Sequence, residues 1–301
     1  MRRFICIFLT LLLLTGCAPK QEADGNLTFT DDLGYSVSLT SWERVVSLYG
    51  SFAETWWLAG GELTGTTKDA ITERKLPLGE DVAIVGTVKE PNLEQIIALD
   101  PDFVILSADT AAQVKLHDAL TLAKIPHAYY RVDTFDDYLT MLEQFCQMTE
   151  RPDLYEAKGL QVQAQINAVL ESVSGETGPE VLLLRAYSTG VKAKGADNLA
   201  GFILQDLGAV NIADREGSLL ENISLEAIIA ADPEYIFISV MGDEEAALAY
   251  LQENWESNPA WTGLTAVREG RVTVLPKELF HYKPNANWGE SYACLADILY
   301  P

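Results

Sequence analysis

The chain has 301 residues, of which 44 are acidic and 21 basic, so its formal net charge is −23 at pH 7. This acidity excludes a nucleic-acid-binding function, because such binding depends on neutralising phosphates with Lys and Arg, and it disfavours a basic face that docks on membranes. The four cysteines are too few for a disulfide-stapled extracellular module.

The first residues predict an export signal. Arg2 and Arg3 precede the apolar run Phe4–Leu14, which is shorter than the roughly 20 residues that a membrane-spanning helix needs. A basic start, a short apolar core and small residues before Cys17 predict a signal peptide over residues 1–16, followed by a tether over residues 17–26. Its removal would leave a charge of (21 − 2) − 44 = −25. Cys17 directly after the signal suggests that the cysteine has a role in processing; the alternative is a plain secretory signal in which this cysteine occurs by chance.

The next part of the chain, residues 27–149, alternates predicted strands and helices. A hairpin at 27–40, turning at 32–34, comes first. Strands are predicted at 44–48, 63–67, 82–85, 103–106 and 128–132, and helices at 52–59, 111–123 and 135–148. Such alternation predicts right-handed βαβ units and a mainly parallel sheet.

Residues 150–175 predict a connecting helix. The stretch Leu154–Ser172 has no internal proline, and apolar residues recur on one helical face of it: Val162, Ile166, Val169 and Val173. Some 20 helical residues span roughly 30 Å, so we predict one stiff connection between two lobes. An ordinary surface helix is the alternative.

Residues 176–301 restart the alternation and predict a second α/β lobe. Strands are predicted at 180–184, 235–238 and 271–275, helices at 199–207, 244–253 and 288–299, and a polar loop at 187–197. Cys146 and Cys294 lie in helix-like sequence in different halves, so we expect buried small side chains without a disulfide between them.

One motif occurs in both halves. Asn92–Ser107 reads NLEQIIALDPDFVILS, and Ser224–Ser239 reads SLEAIIAADPEYIFIS. Each copy predicts a short helix with a polar N-cap, an Asp-Pro that ends the helix, and a strand buried on both faces. Two matching copies far apart predict two lobes built alike. Glu94 and Glu226 then occupy the same place on the outer surface of each lobe, in the first helical turn, where a carboxylate suits the helix dipole.

These features together resemble the solute-binding lipoproteins of ABC importers that bind cobalamin, ferric siderophores or haem. The resemblance is carried by the lipobox-like LTGC ending at Cys17, the two repeats, Asn198–Asp214 and Leu264–Pro276, in that order. It implies an α/β fold of two Rossmann-like lobes with mainly parallel sheets, joined by one long rigid helix, with the ligand cleft between the lobes. It also implies an N-terminal lipid on Cys17 and an extracytoplasmic, membrane-anchored monomer.

The resemblance assigns partners to this chain. In that family one surface glutamate per lobe docks onto arginines of the permease dimer, which works with an ATPase, and Glu94 and Glu226 occupy those places. A matched pair of carboxylates can meet a twofold pair of guanidiniums with bidentate hydrogen bonds. No intrinsic cofactor is expected, and the ligand is a metal chelate, namely a ferric siderophore, haem or cobalamin.

The predicted cleft lies beyond the carboxyl ends of the strands, where open α/β sheets bind ligands. Aromatic faces there suit a broad planar ligand, and cationic side chains suit its carboxylates. The candidate side chains are Tyr49, Ser51, Tyr130, Arg131, Arg185, Tyr187, Lys192, Phe280, His281 and Tyr282. His281 is also a candidate axial ligand of haem iron or cobalt, with a polar loop histidine as the alternative; we expect His117 and His127 to be structural.

The sequence disfavours three other functions. A binding protein for bare zinc or manganese needs several clustered His or carboxylate ligands, which three scattered histidines do not predict. An α/β surface enzyme is disfavoured because the chain contains no GxGxxG after a strand, no P-loop and no GxSxG. A purely structural lipoprotein would have no reason to carry matched glutamates on two lobes.

Overall fold

A computed structural model describes residues 27–215, 217–221 and 224–301. The predicted signal peptide, the tether and Cys17 lie outside these residues. Within this part of the chain, no helix is both long enough and apolar enough to cross a membrane.

The first half forms a hairpin and a parallel sheet. The antiparallel hairpin pairs β1 (Leu27–Thr30) with β2 (Ser36–Leu39). The sheet contains β3 (Val45–Ser47), β4 (Leu63–Thr66), β5 (Ala83–Ile84), β6 (Phe103–Ser107) and β7 (His127–Tyr130). Its order is β5-β4-β3-β6-β7, and every neighbouring pair is parallel, as predicted from the alternation of elements.

Six helices accompany this sheet: α1 (Gly50–Leu58), α2 (Asp69–Thr72), α3 (Leu93–Ala98), α4 (Ala111–Val114), α5 (His117–Leu122) and α6 (Phe135–Met148). The single helix predicted over residues 111–123 is wrong, because α4 and α5 are separate. The buried side chain of Gln113 accepts from Ser107 N and donates to Leu48 O, both at 2.7 Å. These bonds hold α4 at the strand ends, and the chain turns before α5 begins.

A continuous helical run leads from the first half to the second. It comprises α7 (Pro152–Tyr155), a π-helical turn (Glu156–Leu160) and α8 (Gln161–Ser172). The run begins at Pro152, two residues before the proline-free stretch Leu154–Ser172 on which the prediction rested. Proline is favoured at the first position of a helix. In the π-turn, a Cβ on Gly159 would lie 2.7 Å from Leu139 Cδ1, so α6 approaches the helix closely there. The stiffness of this connection stays a prediction.

The second half forms another sheet. Its strands are β8 (Glu180–Tyr187), β9 (Gly190–Ala193), β10 (Val210–Asn211), β11 (Tyr235–Val240) and β12 (Val272–Val274). The order β10-β8-β11-β12 is parallel, and β9 pairs antiparallel with β8. The polar loop predicted at 187–197 is therefore wrong in part. Buried Val191 and Ala193 flank exposed Lys192, which is the alternation of a strand with one covered face.

The helices of this half are α9 (Leu199–Asp206), α10 (Ile212–Arg215), α11 (Gly217–Glu221), α12 (Leu225–Ala231), α13 (Glu244–Leu251), α14 (Thr265–Arg268), α15 (Lys277–Phe280) and α16 (Trp288–Leu299). A π-turn (Gln252–Glu256) extends α13, and 3-10 turns lie at Trp261–Gly263 and Asn285–Asn287. The final helix, α16, packs against α8 and α9.

The two sheets are built alike, as the repeats predict. The order β4-β3-β6-β7 in the first corresponds to β10-β8-β11-β12 in the second. The repeats form α3–β6 and α12–β11, and their N-caps Asn92 and Ser224 both accept a hydrogen bond from the third helical residue. The aspartate of each Asp-Pro has a left-handed backbone, with φ of 46° at Asp100 and 43° at Asp232. This conformation ends both helices.

The acid after each Asp-Pro ties its repeat to the neighbouring strand. The Asp102 carboxylate accepts from the backbone N–H groups of Glu43 and Arg44, both at 3.0 Å, just before β3. The Glu234 carboxylate accepts from Glu180 N at 3.1 Å, at the start of β8. The same local motif therefore anchors the central strand pair of both sheets.

A single apolar cluster links the halves. It contains Phe52 and Phe145 from the first half, Ile166 from α8, and Leu183 and Trp288 from the second half. Because these buried side chains belong to one contiguous core, the two sheets share part of their hydrophobic stabilisation.

Candidate functional site

A cavity of about 390 Å³ lies between the two halves, at the carboxyl ends of their strands. Tyr49 follows β3, and Asp133 and Thr134 follow β7; the other lining residues come from the second half. They are Arg185, Ala196, Asp197, Asn198, Leu199, Phe202, Phe280, His281, Tyr282 and Lys283. This is the edge at which the sequence predicts a cleft.

Two cations line the cavity. Arg185 lies near the end of β8, is half-buried, and has its Nε atom 3.5 Å from Ser239 Oγ on β11. Lys283 Nζ lies 3.0 Å from Asp133 Oδ1, so this ion pair joins the second half to the first across the cavity. Asp197 adds a second carboxylate to the lining. A ligand carboxylate that paired with Lys283 would replace Asp133 as its counter-ion.

His281 presents a neutral imidazole. It follows α15, and its ring packs edge-on against Tyr282 with ring centroids 4.5 Å apart. Burial, and then the nearby charges of Lys277 and Arg185, lower the pKa of His281 to about 4. Its Nδ1 atom is buried and has no hydrogen-bond partner among the described residues. At neutral pH the ring can therefore offer a nitrogen lone pair or an N–H group to a ligand.

Asn198 gives a second polar group that lacks a partner. It lies just before α9, and its Oδ1 atom is buried without a hydrogen bond from any described residue. Because a buried polar atom without a partner is costly, such atoms point to an occupant that completes them. Tyr49 also lines the cavity, and its ring centroid lies 4.8 Å from that of Phe52. Burial raises the pKa of the Tyr49 hydroxyl.

The segment after α15 crosses to the first half and closes one side of the cavity. The Tyr282 hydroxyl contacts the Glu73 carboxylate. The side chain of Asn285 is buried and donates to Ser51 O at 2.9 Å, and its backbone is left-handed with φ of 54°. These contacts position Tyr282 and Lys283 at the cavity from residues distant in sequence.

The structure brings together some of the predicted cleft residues and separates others. Those that line the cavity are Tyr49, Arg185, Phe280, His281 and Tyr282. Ser51 is buried, and its carbonyl is taken by Asn285. Tyr187 and Lys192 are not part of the lining, because they belong to the β8–β9 hairpin and not to a loop that enters the cavity.

Tyr130 and Arg131 also lie elsewhere. The Tyr130 ring is buried in the core, 5.3 Å from that of Phe145, and its hydroxyl donates to Gln144 Oε1 at 3.0 Å. The exposed Arg131 guanidinium binds Asp109 at 2.7 Å. Both residues border a smaller cavity of about 130 Å³ beside the hairpin.

Sequence reasoning missed several residues of the lining: Asp133, Thr134, Asp197, Asn198, Phe202 and Lys283. Asp133 and Thr134 lie three and four residues after the end of β7, so their closeness to a strand end was a signal that could have identified them. Lys283 adjoins the predicted segment that ends at Tyr282. No feature of the local sequence marks Phe202 as a cavity residue, because it lies within α9 and not at the end of a strand.

Glu94 and Glu226 are both exposed, in the first turns of α3 and α12. In each copy the exposed carboxylate precedes a fully buried isoleucine, Ile96 or Ile228, by two positions. The two helices therefore present the same side chains to solvent from corresponding parts of the two lobes.

His117, His127, Cys146 and Cys294 lie away from the cavity. His127 Nε2 is 3.0 Å from His117 Nδ1, and His127 Nδ1 is 2.9 Å from Ile125 O. Cys146 is buried, Cys294 is half-buried, and both are free thiols. In the described ranges, no three His, Cys, Asp or Glu side chains are grouped so as to hold a metal ion.

The model of the family described as periplasmic binding protein matches residues 45–279. The Fe(3+)-citrate-binding protein YfmC of Bacillus subtilis is 24% identical over 88% of this chain and 86% of its own length. The vitamin B12-binding protein of Vibrio campbellii is 25% identical over 65% of this chain and 70% of its own.

A solved structure has the same fold. Staphylococcus aureus IsdE complexed with heme superposes with a TM-score of 0.69 at 17% identity, covering 86% of this chain and 99% of IsdE. The match supports the architecture of two α/β halves.

Proposed function

Because the chain belongs to the periplasmic binding protein family, we propose that it captures a metal chelate in the cavity between its lobes and delivers it to an ABC importer. Relatives and structural neighbours named for ferric citrate, vitamin B12 and heme support this class of ligand. The protein is an importer's substrate-binding component, and we propose that it releases its ligand unchanged.

The observation that carries the proposal is the chemistry of the cavity. Arg185 and Lys283 can pair with carboxylates of a chelate, and the rings of Tyr49, Phe280 and Tyr282 offer apolar faces. His281 adds a neutral nitrogen that can contact the metal or a ligand oxygen. A volume of about 390 Å³ is at the lower end of the usual range for ligand pockets, so it favours a compact ferric carboxylate over cobalamin.

The ligand is tested by absorbance titration of the purified protein with ferric citrate, haemin, a ferric carboxylate siderophore and cyanocobalamin, which are all coloured. We expect saturable binding of a carboxylate-bearing chelate. Arg185→Ala should weaken it by at least about tenfold, because the ligand charge loses its partner. Arg131→Ala is the matched control, since that arginine lies outside the cavity. Equal affinity of the two variants, or no binding of any chelate, would refute the proposal.

We further propose that Glu94 and Glu226 dock the protein onto the permease dimer, one lobe to each subunit. Both carboxylates are exposed, and each occupies the same position of its repeat. Exposed ion pairs give little energy, so their effect is on orientation and on association rate. Changing both to alanine should leave ligand affinity intact and abolish uptake into cells. Unimpaired uptake by that double variant would contradict the docking role.

The proposed function also requires a place outside the cytoplasm. We propose cleavage after residue 16 and lipid attachment at Cys17, which would hold a monomer on the outer face of the membrane close to the permease and its ATPase. Metabolic labelling with a radioactive fatty acid tests this, because Cys17→Ser should remove the label. Persistent labelling of that variant would exclude Cys17 as the acceptor.

A further inference from the structure

The helices α3 and α12 each expose an isoleucine at the same position of the repeat. Ile97 is 42% exposed and Ile229 is 39% exposed. Each follows its glutamate by three residues, and residues spaced by three lie on one helix face. An exposed alanine comes next in both copies, Ala98 and Ala230. The two lobes therefore present one surface twice: a carboxylate, an isoleucine and an alanine.

Core packing does not explain this match. The preceding residues, Ile96 and Ile228, are identical and fully buried, so the core accounts for them. Ile97 and Ile229 are instead partly exposed, and other positions of the same helices differ between the copies, such as Gln95 and Ala227. One exposed isoleucine needs no explanation. Two at equivalent positions, each beside an exposed glutamate, indicate a shared contact.

We propose that Ile97 and Ile229, each with the alanine that follows it, form the apolar centres of two equal docking surfaces and pack against the two integral membrane subunits of the importer. The identity of the partner rests on the proposed function. Two equal surfaces on one chain fit a partner made of two equal subunits. A second copy of this chain is a poor occupant, since each mature copy carries a charge of −25, from (21 − 2) basic and 44 acidic residues.

The isoleucines supply apolar surface that can be buried at the contact, which the glutamates cannot. An exposed carboxylate–guanidinium pair contributes little in water, because solvent screens it. Burying an isoleucine beside it removes apolar surface from water and excludes solvent from the ion pair, which strengthens the electrostatic contact. The alanine after each isoleucine lets the partner's backbone approach closely. Each isoleucine is already more than half covered, so truncating one should weaken docking about three- to tenfold.

The test is photocrosslinking of the full-length protein in the bacterium that makes it, so that no ligand needs to be known. Photoreactive p-benzoylphenylalanine replaces Ile97 or Ile229, and adducts are identified by mass spectrometry. Leu122, which is 86% exposed on α5, is the control position. We expect both isoleucine positions to give adducts with an integral membrane permease subunit, and the control position to give none.

A second arm repeats the Ile97 experiment with Glu94→Ala and Glu226→Ala together. Loss of the adduct supports both roles. An undiminished yield of the adduct would support the isoleucine contact and refute docking through the glutamates. No permease adduct at either isoleucine, or an adduct only with a second copy of this chain, overturns the inference, while the proposed function is then judged by its own titration. In addition, Ile97→Ser with Ile229→Ser should lower the amount of this protein that chemical crosslinking links to permease subunits. Unchanged crosslinking would count against the contact.

Discussion

Replacing Trp288 by alanine tests whether the two lobes are one cooperative unit. Trp288 begins α16 and is fully buried, and its ring lies 6.0 Å from that of Phe135 at the start of α6 in the first half. It belongs to the apolar cluster that runs through both halves. Truncating a buried aromatic side chain of this kind costs about 3–5 kcal/mol, from lost burial and the cavity left behind.

The expected result is a loss of that size in both lobes together. Guanidinium unfolding measures the total loss, and hydrogen exchange read by mass spectrometry measures it separately in β6 and β11, which are corresponding interior strands of the two sheets. Because the core is shared, the free energy for exchange should fall by the same amount in both strands. Leu122→Ala is the control, since Leu122 is 86% exposed and its loss should cost under about 1 kcal/mol.

A fall in β11 with no change in β6 would refute this reasoning. The lobes would then unfold independently, without stability shared through the apolar cluster. The predicted stiff connection between the lobes implies, separately, that ligand entry requires little rearrangement of the halves.

Two further predictions concern single carboxyl and imidazole groups. Burial lowers the pKa of His281 from 6.5 to about 4, so the unfolded chain takes up a proton first as the pH falls. His281 should therefore make stability fall between pH 6.5 and 4, by roughly 2 kcal/mol once its partial exposure is discounted; urea unfolding of His281→Gln should show a shallower loss over that range, and identical slopes would contradict the prediction. Asp102→Ala removes bonds to Ser41 Oγ, Glu43 N and Arg44 N and should cost about 2–3 kcal/mol in thermal unfolding. Glu234→Ala loses one such bond, to Glu180 N, and should cost about 1 kcal/mol. Equal stability losses in the Asp102 and Glu234 variants would contradict the prediction that the loss grows with the number of bonds removed.

Short-range patterns predicted most of the fold. Helices α6 and α16 have the bounds predicted for them, and both repeats form the predicted helix, turn and buried strand. These features depend on backbone preferences within a few residues, which is why an N-cap or an Asp-Pro is informative without tertiary contacts. Strand β9 was not predicted because the apolar pair Val191 and Ala193 is short and lies within a segment rich in Ser, Thr, Gly and Lys, while the partners of that strand are β8 and α13.

The cavity shows the limit of such reasoning. A strand end indicates which edge of a sheet a residue occupies, and this correctly brought Tyr49, Arg185 and His281 to one place. It could not indicate that Lys283 meets Asp133, 150 residues away, or that Asn285 reaches Ser51 in the other half. The outward face of each repeat could be predicted from its own sequence, because local geometry decides it. Which side chains meet between the lobes depends on the packing of distant segments, and no local preference encodes that packing.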